Sequence, residues 1–370
     1  MVTSIIVGCG FGDEGKGTTT NHLVRQAYAA GENPMVVRFS GGPQAGHHVL
    51  FKDLSHTFHH YGSGSLLGAP TFWSKYCYTE PGAICHEYSE LVRLGLYPGL
   101  YIDPMSPVIT PYDRLANQRD HDNIAHGTCG QGIGFAAKRT EESPHKLYVK
   151  DLFAPKWVLE ERLKSIRSYY GNPTSLELYK EVEAFMAYSR HVPEIALLAT
   201  ESSIIEDIDH LIFEGSQGIL LDRDHGFFPH VTRASTTSKN AKEMIERNGW
   251  DTPTVHYVTR PYLTRHGAGP MGPGGPVQLN STRGEINVTN PWQGEFRVSI
   301  FDRGLFNYAV SCDPYSHLDY YVVVTGLDRV KDTMTYRNTL GDVVTTDTYL
   351  FVKSLSDKCL ISENYEFKYV

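Results

Sequence analysis

Chemistry-bearing residues are densest near the N-terminus, in Gly8-Cys9-Gly10-Phe11-Gly12-Asp13-Glu14-Gly15-Lys16-Gly17. Gly10-x-x-x-x-Gly15-Lys16 has the spacing of a phosphate loop. In such a loop glycines let backbone N–H groups converge on phosphate oxygens, a helix N-terminus adds positive potential, and the lysine supplies a cation. Gly17 stands where that motif places a Ser or Thr hydroxyl on Mg²⁺, so another oxygen must serve; Asp13, inside the turn, is the candidate. The same letters also read as G-x-G-x-x-G at Gly10, Gly12 and Gly15, which would suit a dinucleotide oxidoreductase. That reading wants an acid at the end of the second strand, and Arg38 sits there instead. Lys16 and Asp13 favour a triphosphate.

These residues need a scaffold. The β-branched run Ser4–Gly8 predicts a buried strand, and Thr18–Ala30 a helix with Leu23, Val24, Ala27 and Ala30 on one face and Gly31 as its stop. Met35–Phe39 reads as a second strand, followed by the glycine-rich Gly41–His48. Strand, loop, helix, strand opens a doubly wound sheet. Helices are expected at Glu87–Leu94, Pro111–Asn123, Asp151–Tyr170 and Ser175–Arg190, and strands at His210–Glu214, Val255–Arg260 and Tyr320–Val324. The expected fold class is α/β, a P-loop-like nucleotide-binding domain with a central, mostly parallel sheet and helical insertions. One domain covers 1–370, with a helical insertion around 151–200.

Composition narrows the function. Lys and Arg number 34 against 42 Asp and Glu, a net charge of −8, which argues against nucleic-acid binding through bulk charge and leaves room for a local basic pocket. Six cysteines without a C-x-x-C pair fit a reducing compartment. No apolar stretch approaches a membrane span. The expectation is a cytoplasmic enzyme acting on small molecules, with no nucleic-acid or membrane partner.

Several ordered segments resemble the adenylosuccinate synthetase family: Gly12-Asp-Glu-Gly-Lys-Gly17, Gly41-Gly-Pro-Gln-Ala-Gly-His47, Gly127-Thr-Cys-Gly-Gln-Gly-Ile-Gly134, Phe213-Glu-Gly-Ser-Gln-Gly-Ile-Leu-Leu-Asp222, Asp224-His-Gly226, Pro229-His-Val-Thr232, Gly267-Ala-Gly-Pro270 and Thr325-Gly-Leu-Asp328. The resemblance implies a ligase that condenses a 6-oxopurine 5′-nucleotide with L-aspartate, using a nucleoside triphosphate and Mg²⁺, as a homodimer. It implies that Asp13 is the base and a Mg²⁺ ligand, with the Gly42 carbonyl as a second ligand, and that Lys16 stabilises the transferring phosphoryl group. The donor would lie on Gly12, Glu14, Gly15, Lys16 and Gly17, with its base at Asp328. The acceptor nucleotide would lie on Gly127, Thr128, Cys129, Gln217, Leu221 and Thr232, with Arg139 reaching across the dimer to the partner's 5′-phosphate.

Three departures shift the expected substrate. Pro43 replaces a family histidine that acts as general acid and has no proton to give; His47 or His48 would have to substitute. The arginine-rich aspartate loop is replaced by Glu285-Ile-Asn-Val-Thr-Asn-Pro-Trp-Gln-Gly-Glu-Phe-Arg297, leaving Arg297 for an aspartate carboxylate with help from Asn290 and Gln293. The chain ends soon after Asp328 without the usual base-binding segment, and Gly326 replaces a lysine, which opens the donor site to ATP or dATP as well as GTP. These features are similar to the phage branch of the family, which makes N6-succino-2-amino-2′-deoxyadenylate from dGMP toward 2-aminoadenine DNA; the cytoplasm would then be that of a host. IMP is the alternative acceptor, and a nucleotide-binding module without synthesis the alternative of another class.

Overall fold

The computed structural model describes residues 1–121, 127–204, 206–272, 275, 277, 279, 292, 294–330, 332–363 and 366–370. Its strands in chain order are β1 (Val2–Gly8), β2 (Pro34–Arg38), β3 (His47–Phe51), β4 (Leu54–Phe58), β5 (Thr71–Trp73), β6 (Leu100–Ile102), β7 (Leu197–Leu198), β8 (His210–Gly218), β9 (Thr254–Thr259), β10 (Tyr262–His266), β11 (Phe296–Asp302), β12 (Tyr320–Val324), β13 (Thr333–Arg337), β14 (Val343–Asp347), β15 (Cys359–Glu363) and β16 (Glu366–Tyr369). Ten of them form one sheet in the order β16-β15-β12-β9-β1-β8-β2-β5-β6-β7. Every neighbouring pair is parallel except β15 with β16.

That order places the site. From β1 the chain moves outward through β2, β5, β6 and β7, returns as β8 between β1 and β2, and then builds the other half through β9, β12 and β15. A reversal of strand order opens a crevice at the carboxyl ends of the strands beside it, because the loops leaving them diverge. Here those strands are β1, β8 and β9. Their β-branched and apolar residues (Ile5, Ile6, Val7, Ile212, Phe213, Val255 and Val258) are fully buried, as strands covered on both faces require.

Two smaller sheets hang on this frame. Hairpin β3–β4 leaves the second glycine loop, and β10-β11-β13-β14 forms a four-stranded sheet with β10 antiparallel to β11. The sequence pattern did not separate these short strands from loop. Helices at Pro81–Arg93, Lys156–Tyr169 and Leu176–Ile195 pack with β5, β6 and the hairpin in a second cluster of buried side chains, including Trp73, Ile84, Leu163, Ile166 and Phe185. The helix expected over Asp151–Tyr170 is split into Val149–Leu152 and Lys156–Tyr169, because Pro155 has no N–H and serves as the second helix's N-cap. The helix at Pro111 runs to Arg119. The one near residue 87 starts at Pro81, capped by Glu80 accepting from Gly82 and Ala83. No described helix is long and apolar enough to cross a membrane, and all six cysteines are free thiols.

The sheet also buries ions. Arg38 on β2 stands in register with Glu214 on β8, both fully buried, with Nη1 3.9 Å from Oε2. His47 Nδ1 donates to Glu214 Oε1 at 2.6 Å, and the Ser63 hydroxyl and backbone N–H also donate to the carboxylate. Burial alone would raise the Glu214 carboxyl, but His47, Arg38 and Ser63 outweigh it and hold it at about 2. A carboxyl depressed in the fold contributes stability that is fully present above its unfolded value and lost as pH falls through the folded one. Glu214→Gln is therefore expected to cost about 3 kcal/mol. Urea melts should show that gap undiminished from neutrality to about pH 4.5 and closing only toward pH 2; a gap that closes near neutrality would contradict it.

Candidate active site

The carboxyl ends of β1, β8, β9, β12 and β15 open into a cavity of about 800 Å³, near the upper end for small-molecule sites and roomy enough for more than one ligand. Among the described residues its charged lining has six cations (Lys16, Lys138, Arg233, Arg260, Arg265, Arg329) against three carboxylates (Asp13, Asp120, Asp328). A chain of net charge −8 thus concentrates positive potential where anionic ligands would sit.

The first loop is built around Glu14. This side chain is buried, and Oε1 accepts the N–H groups of Gly10 and Gly12 at 3.0 and 2.8 Å while Oε2 accepts from Lys16 Nζ at 2.6 Å. Glu14, expected on the donor, instead fastens the loop from beneath and does not line the cavity. Lys16 lines it, and its ammonium keeps two of three donors beyond Glu14. Gly15 caps α1 (Lys16–Ala29) in the left-handed region at φ 94°, and a Cβ there would meet Thr325 Oγ1 at 2.7 Å. Thr325 Oγ1 donates to the Glu14 carbonyl, so β12 closes against the loop. At Gly17 a Cβ would stand 2.8 Å from both His47 Cβ and Ser63 Oγ. The hairpin therefore leaves no space for the hydroxyl residue of an ordinary phosphate loop.

Asp13 faces the other way. Its backbone is left-handed at φ 63°, a conformation a non-glycine residue keeps only when its surroundings hold it. The half-buried carboxylate lines the cavity, with Oδ2 3.2 Å from His266 Nε2. Burial would raise this carboxyl, but the hydrogen bond and charge of His266, then Arg260 and Lys16, bring it below the usual range. Asp13 is therefore ionised at neutral pH and offers a lone pair to a proton or a hard cation. The oxygen donors suit Mg²⁺, which takes one or two carboxylates and completes its shell with phosphates and water. The Gly42 carbonyl accepts from Ala45 N at 3.1 Å and retains a second lone pair, although Gly42 does not line the cavity.

The structure brings Gly127, Thr128, Cys129, Gln217, Leu221 and Thr232 to the same cavity as Gly12, Asp13, Gly15, Lys16, Gly17 and Asp328. Gln217 sits at φ 53° at the end of β8, and its Oε1 is buried without a partner among the described residues. Burial raises the Cys129 thiol, which keeps it a neutral, weak donor. Thr128 Oγ1 is engaged by the Asn117 amide, on the helix Pro111–Arg119. Asp328 is exposed at the rim.

Arg139 is a correction. It is fully buried, with Nε and Nη2 on the two oxygens of Asp113 at 2.8 and 2.9 Å and further bonds to the carbonyls of Val108 and His145. A guanidinium so enclosed has no edge to present to a neighbouring subunit. Arg297 does not line the cavity; Nη2 donates to the Gly267 and Gly269 carbonyls. Asn290 and Gln293 lie outside the described residues. Sequence reasoning missed a number of lining residues, Arg260, His266, His59 and Ser362 among them. His59 Nδ1 donates to the Pro43 carbonyl at 2.6 Å, setting an imidazole beside the position where the family's histidine is missing. His47 Nε2 is buried without a described partner, and burial lowers its pKa against the pull of Glu214. Ser362 arrives on β15, so the C-terminal strands do reach the Asp328 end of the cavity. No spacing signal in the sequence links these residues, because they come from separate parts of the chain: His59 after β4, Arg260 between β9 and β10, His266 on β10 and Ser362 on β15.

A sequence profile of the adenylosuccinate synthetase family matches residues 5–357. Adenylosuccinate synthetase of Synechococcus sp. (strain JA-2-3B'a(2-13)) is 29% identical over 91% of this chain and 77% of its own length. That of Thermosynechococcus vestitus is 31% identical over 77% of this chain, which spans 64% of it. Among solved structures, the fully ligated Plasmodium falciparum adenylosuccinate synthetase has a TM-score of 0.69 at 19% identity, covering all of this chain and 87% of that one. Cyanophage S-2L succinoaminodeoxyadenylate synthetase, bound to dGMP and dATP as an energy donor, has a TM-score of 0.68 at 15% identity, covering all of this chain and 95% of that one. At those identities the structures show a shared fold.

The Arg139 geometry has a direct consequence. Replacing Arg139 by Met strands the buried Asp113 carboxylate and should cost about 3–5 kcal/mol in urea denaturation. Wild-type stability in that variant would return Arg139 to the role of a free, ligand-facing arginine.

Proposed function

The chain belongs to the adenylosuccinate synthetase family, ligases that form a C–N bond, and from that premise we propose that it joins L-aspartate to C6 of a purine 5′-monophosphate, with dGMP the favoured acceptor. The observation that carries this reading is Asp13, an ionised carboxylate on a strained left-handed residue, turned into a cationic cavity beside Lys16. A 6-oxo group leaves poorly from an amide-like ring. Asp13 takes the N1 proton, which makes O6 nucleophilic toward the γ-phosphorus of the donor, and a nucleoside diphosphate departs. The aspartate amine then displaces phosphate from C6. Lys16 balances charge on the transferring phosphoryl group. Mg²⁺, when held by Asp13 with the Gly42 carbonyl, would neutralise phosphate charge.

The acceptor phosphate would lie along Gly127–Cys129, with the base near Gln217, Leu221 and Thr232. The sequence supports dGMP over IMP: Pro43 and the missing arginine-rich loop resemble the phage branch. The product would be N6-succino-2-amino-2′-deoxyadenylate, a precursor of 2-aminoadenine DNA. IMP remains the second reading because the curated relatives carry the name adenylosuccinate synthetase. ATP or dATP would be the donor, with GTP the alternative read by Asp328. A homodimer in the cytoplasm, of a host cell if the gene is viral, completes the proposal.

Phosphate release measured for IMP, dIMP, GMP and dGMP against ATP, dATP and GTP, each with and without aspartate, tests it. The expected outcome is aspartate-dependent release, greatest with dGMP. Greatest release with IMP would favour the second reading. Nucleotide binding with silence throughout would leave a binding module. Asp13→Asn should lose at least about 2 kcal/mol of transition-state stabilisation, some 30-fold in kcat, with an unchanged melting temperature; near-normal turnover would remove Asp13 from the role of base.

A further inference from the structure

Strand β10 grips the first loop residue by residue. Thr264 Oγ1 donates to the Gly12 carbonyl at 2.8 Å. The Arg265 guanidinium lies 4.4 Å over the Phe11 ring, fixed by bonds to the carbonyls of His230, Ala268 and Pro270. His266 Nε2 reaches Asp13 Oδ2 at 3.2 Å. Three successive residues of one strand thus contact three successive residues of the loop, Phe11, Gly12 and Asp13. The His266 ring is itself held: it packs on Phe296, centroids 4.9 Å apart, its directly opposite partner on β11.

From this arrangement we propose that His266 is a positioning residue for the reaction: its Nε2–H donates to Asp13 Oδ2 and fixes the direction in which the carboxylate presents its other oxygen. The proposal rests on Asp13 being the base, as argued above. The main chain is tied on both sides of Asp13, by the Gly12 N–H on Glu14 Oε1 and by Thr325 Oγ1 on the Glu14 carbonyl, so the freedom that remains is that of the aspartate side chain. Thr264 anchors the main chain of the turn, but only His266 reaches the carboxylate from β10. Removing the imidazole leaves the backbone tied and the carboxylate free to rotate, and misplacement of a reacting oxygen by about 1 Å is worth up to about 100-fold in rate.

Kinetics of His266→Ala and His266→Gln test this, the glutamine amide N–H being able to occupy the place of Nε2–H. The expected result is a kcat for the alanine variant about 10- to 100-fold below wild type, with acceptor KM and calorimetric acceptor binding unchanged, and recovery of most of kcat in the glutamine variant. Wild-type kcat in the alanine variant overturns the proposal, as does an equal loss in both variants accompanied by a lowered melting temperature. Crystal structures of wild type and both variants give a readout that needs no turnover. The Asp13 carboxylate should be turned or multiply placed in the alanine variant and restored in the glutamine variant; an unmoved carboxylate overturns the proposal. A wild-type protein silent toward every acceptor would instead defeat the functional reading, while the crystallographic comparison would still decide whether His266 holds Asp13.

Discussion

The buried carboxylate of Glu14 organises the site. A carboxylate removed from water must be met by donors or it costs several kcal/mol, and the donors nearest to hand are the amides of Gly10 and Gly12 and the ammonium of Lys16. Meeting them winds the loop tightly around one point. The winding explains the glycine density better than a phosphate cradle alone does, since two of the amides that would face a phosphate are turned inward. It also decides the fate of the next-door acid. Once Glu14 points beneath the loop, Asp13 is driven to the opposite side, and its left-handed backbone is the local cost of placing adjacent carboxylates on opposite faces of one turn.

That division separates two roles that share chemically similar side chains. Glu14 is enclosed and saturated, so it shapes the loop. Asp13 borders the cavity and keeps an oxygen available beyond His266, so it is the one of the two that a ligand can reach. An ordinary phosphate loop delegates metal binding to a hydroxyl at the start of its helix. Here that position is closed by His47 of the hairpin and by Ser63 packing against Gly17, and the carboxylate of the loop that lines the cavity is that of Asp13. In the proposed mechanism base and metal ligand fall on one group, which makes its orientation more consequential than in a loop that divides those tasks.

Much of this was legible in the chain because it is local. The first strand, the loop and α1 follow from a β-branched run, a glycine cluster and an amphipathic stretch in unbroken succession, and Tyr320–Val324 was placed to the residue. The short strands of the four-stranded sheet were not legible, since segments such as Tyr-Leu-Thr-Arg-His carry no alternation that distinguishes a covered strand from a loop. The partners of the site failed for a related reason. His266 meets Asp13 only because β10 doubles back over the loop, and Ser362 meets the Asp328 end only because β15 joins the sheet beside β12. Arg139 carried a role that the family resemblance lent it, and nothing in the sequence pairs it with Asp113, which lies 26 residues away and meets it only in the fold.

The electrostatics of the cavity bear on how the chain manages without the arginine-rich loop. An aspartate substrate brings two carboxylates and an acceptor nucleotide brings a phosphate, so the site must supply cations that the usual loop would have carried. Arg265 and Arg297 stand directly opposite each other across β10 and β11, a like-charge pairing that costs stability in a sheet. Burial and the neighbouring Arg297 pull the Arg265 pKa down to about 10, still far above neutrality, so the charge persists. Both guanidiniums are tied to carbonyls of the Gly267–Pro270 turn, which fixes their planes but does not neutralise them. Adjacent fixed cations held by neutral acceptors form a preorganised field, and an arriving dianion would relieve repulsion already present in the folded chain. Arg265, buried on the cavity wall, is thus backed by a half-buried Arg297 that does not reach the cavity, and it presents its charge without the ordering entropy that a mobile side chain would lose.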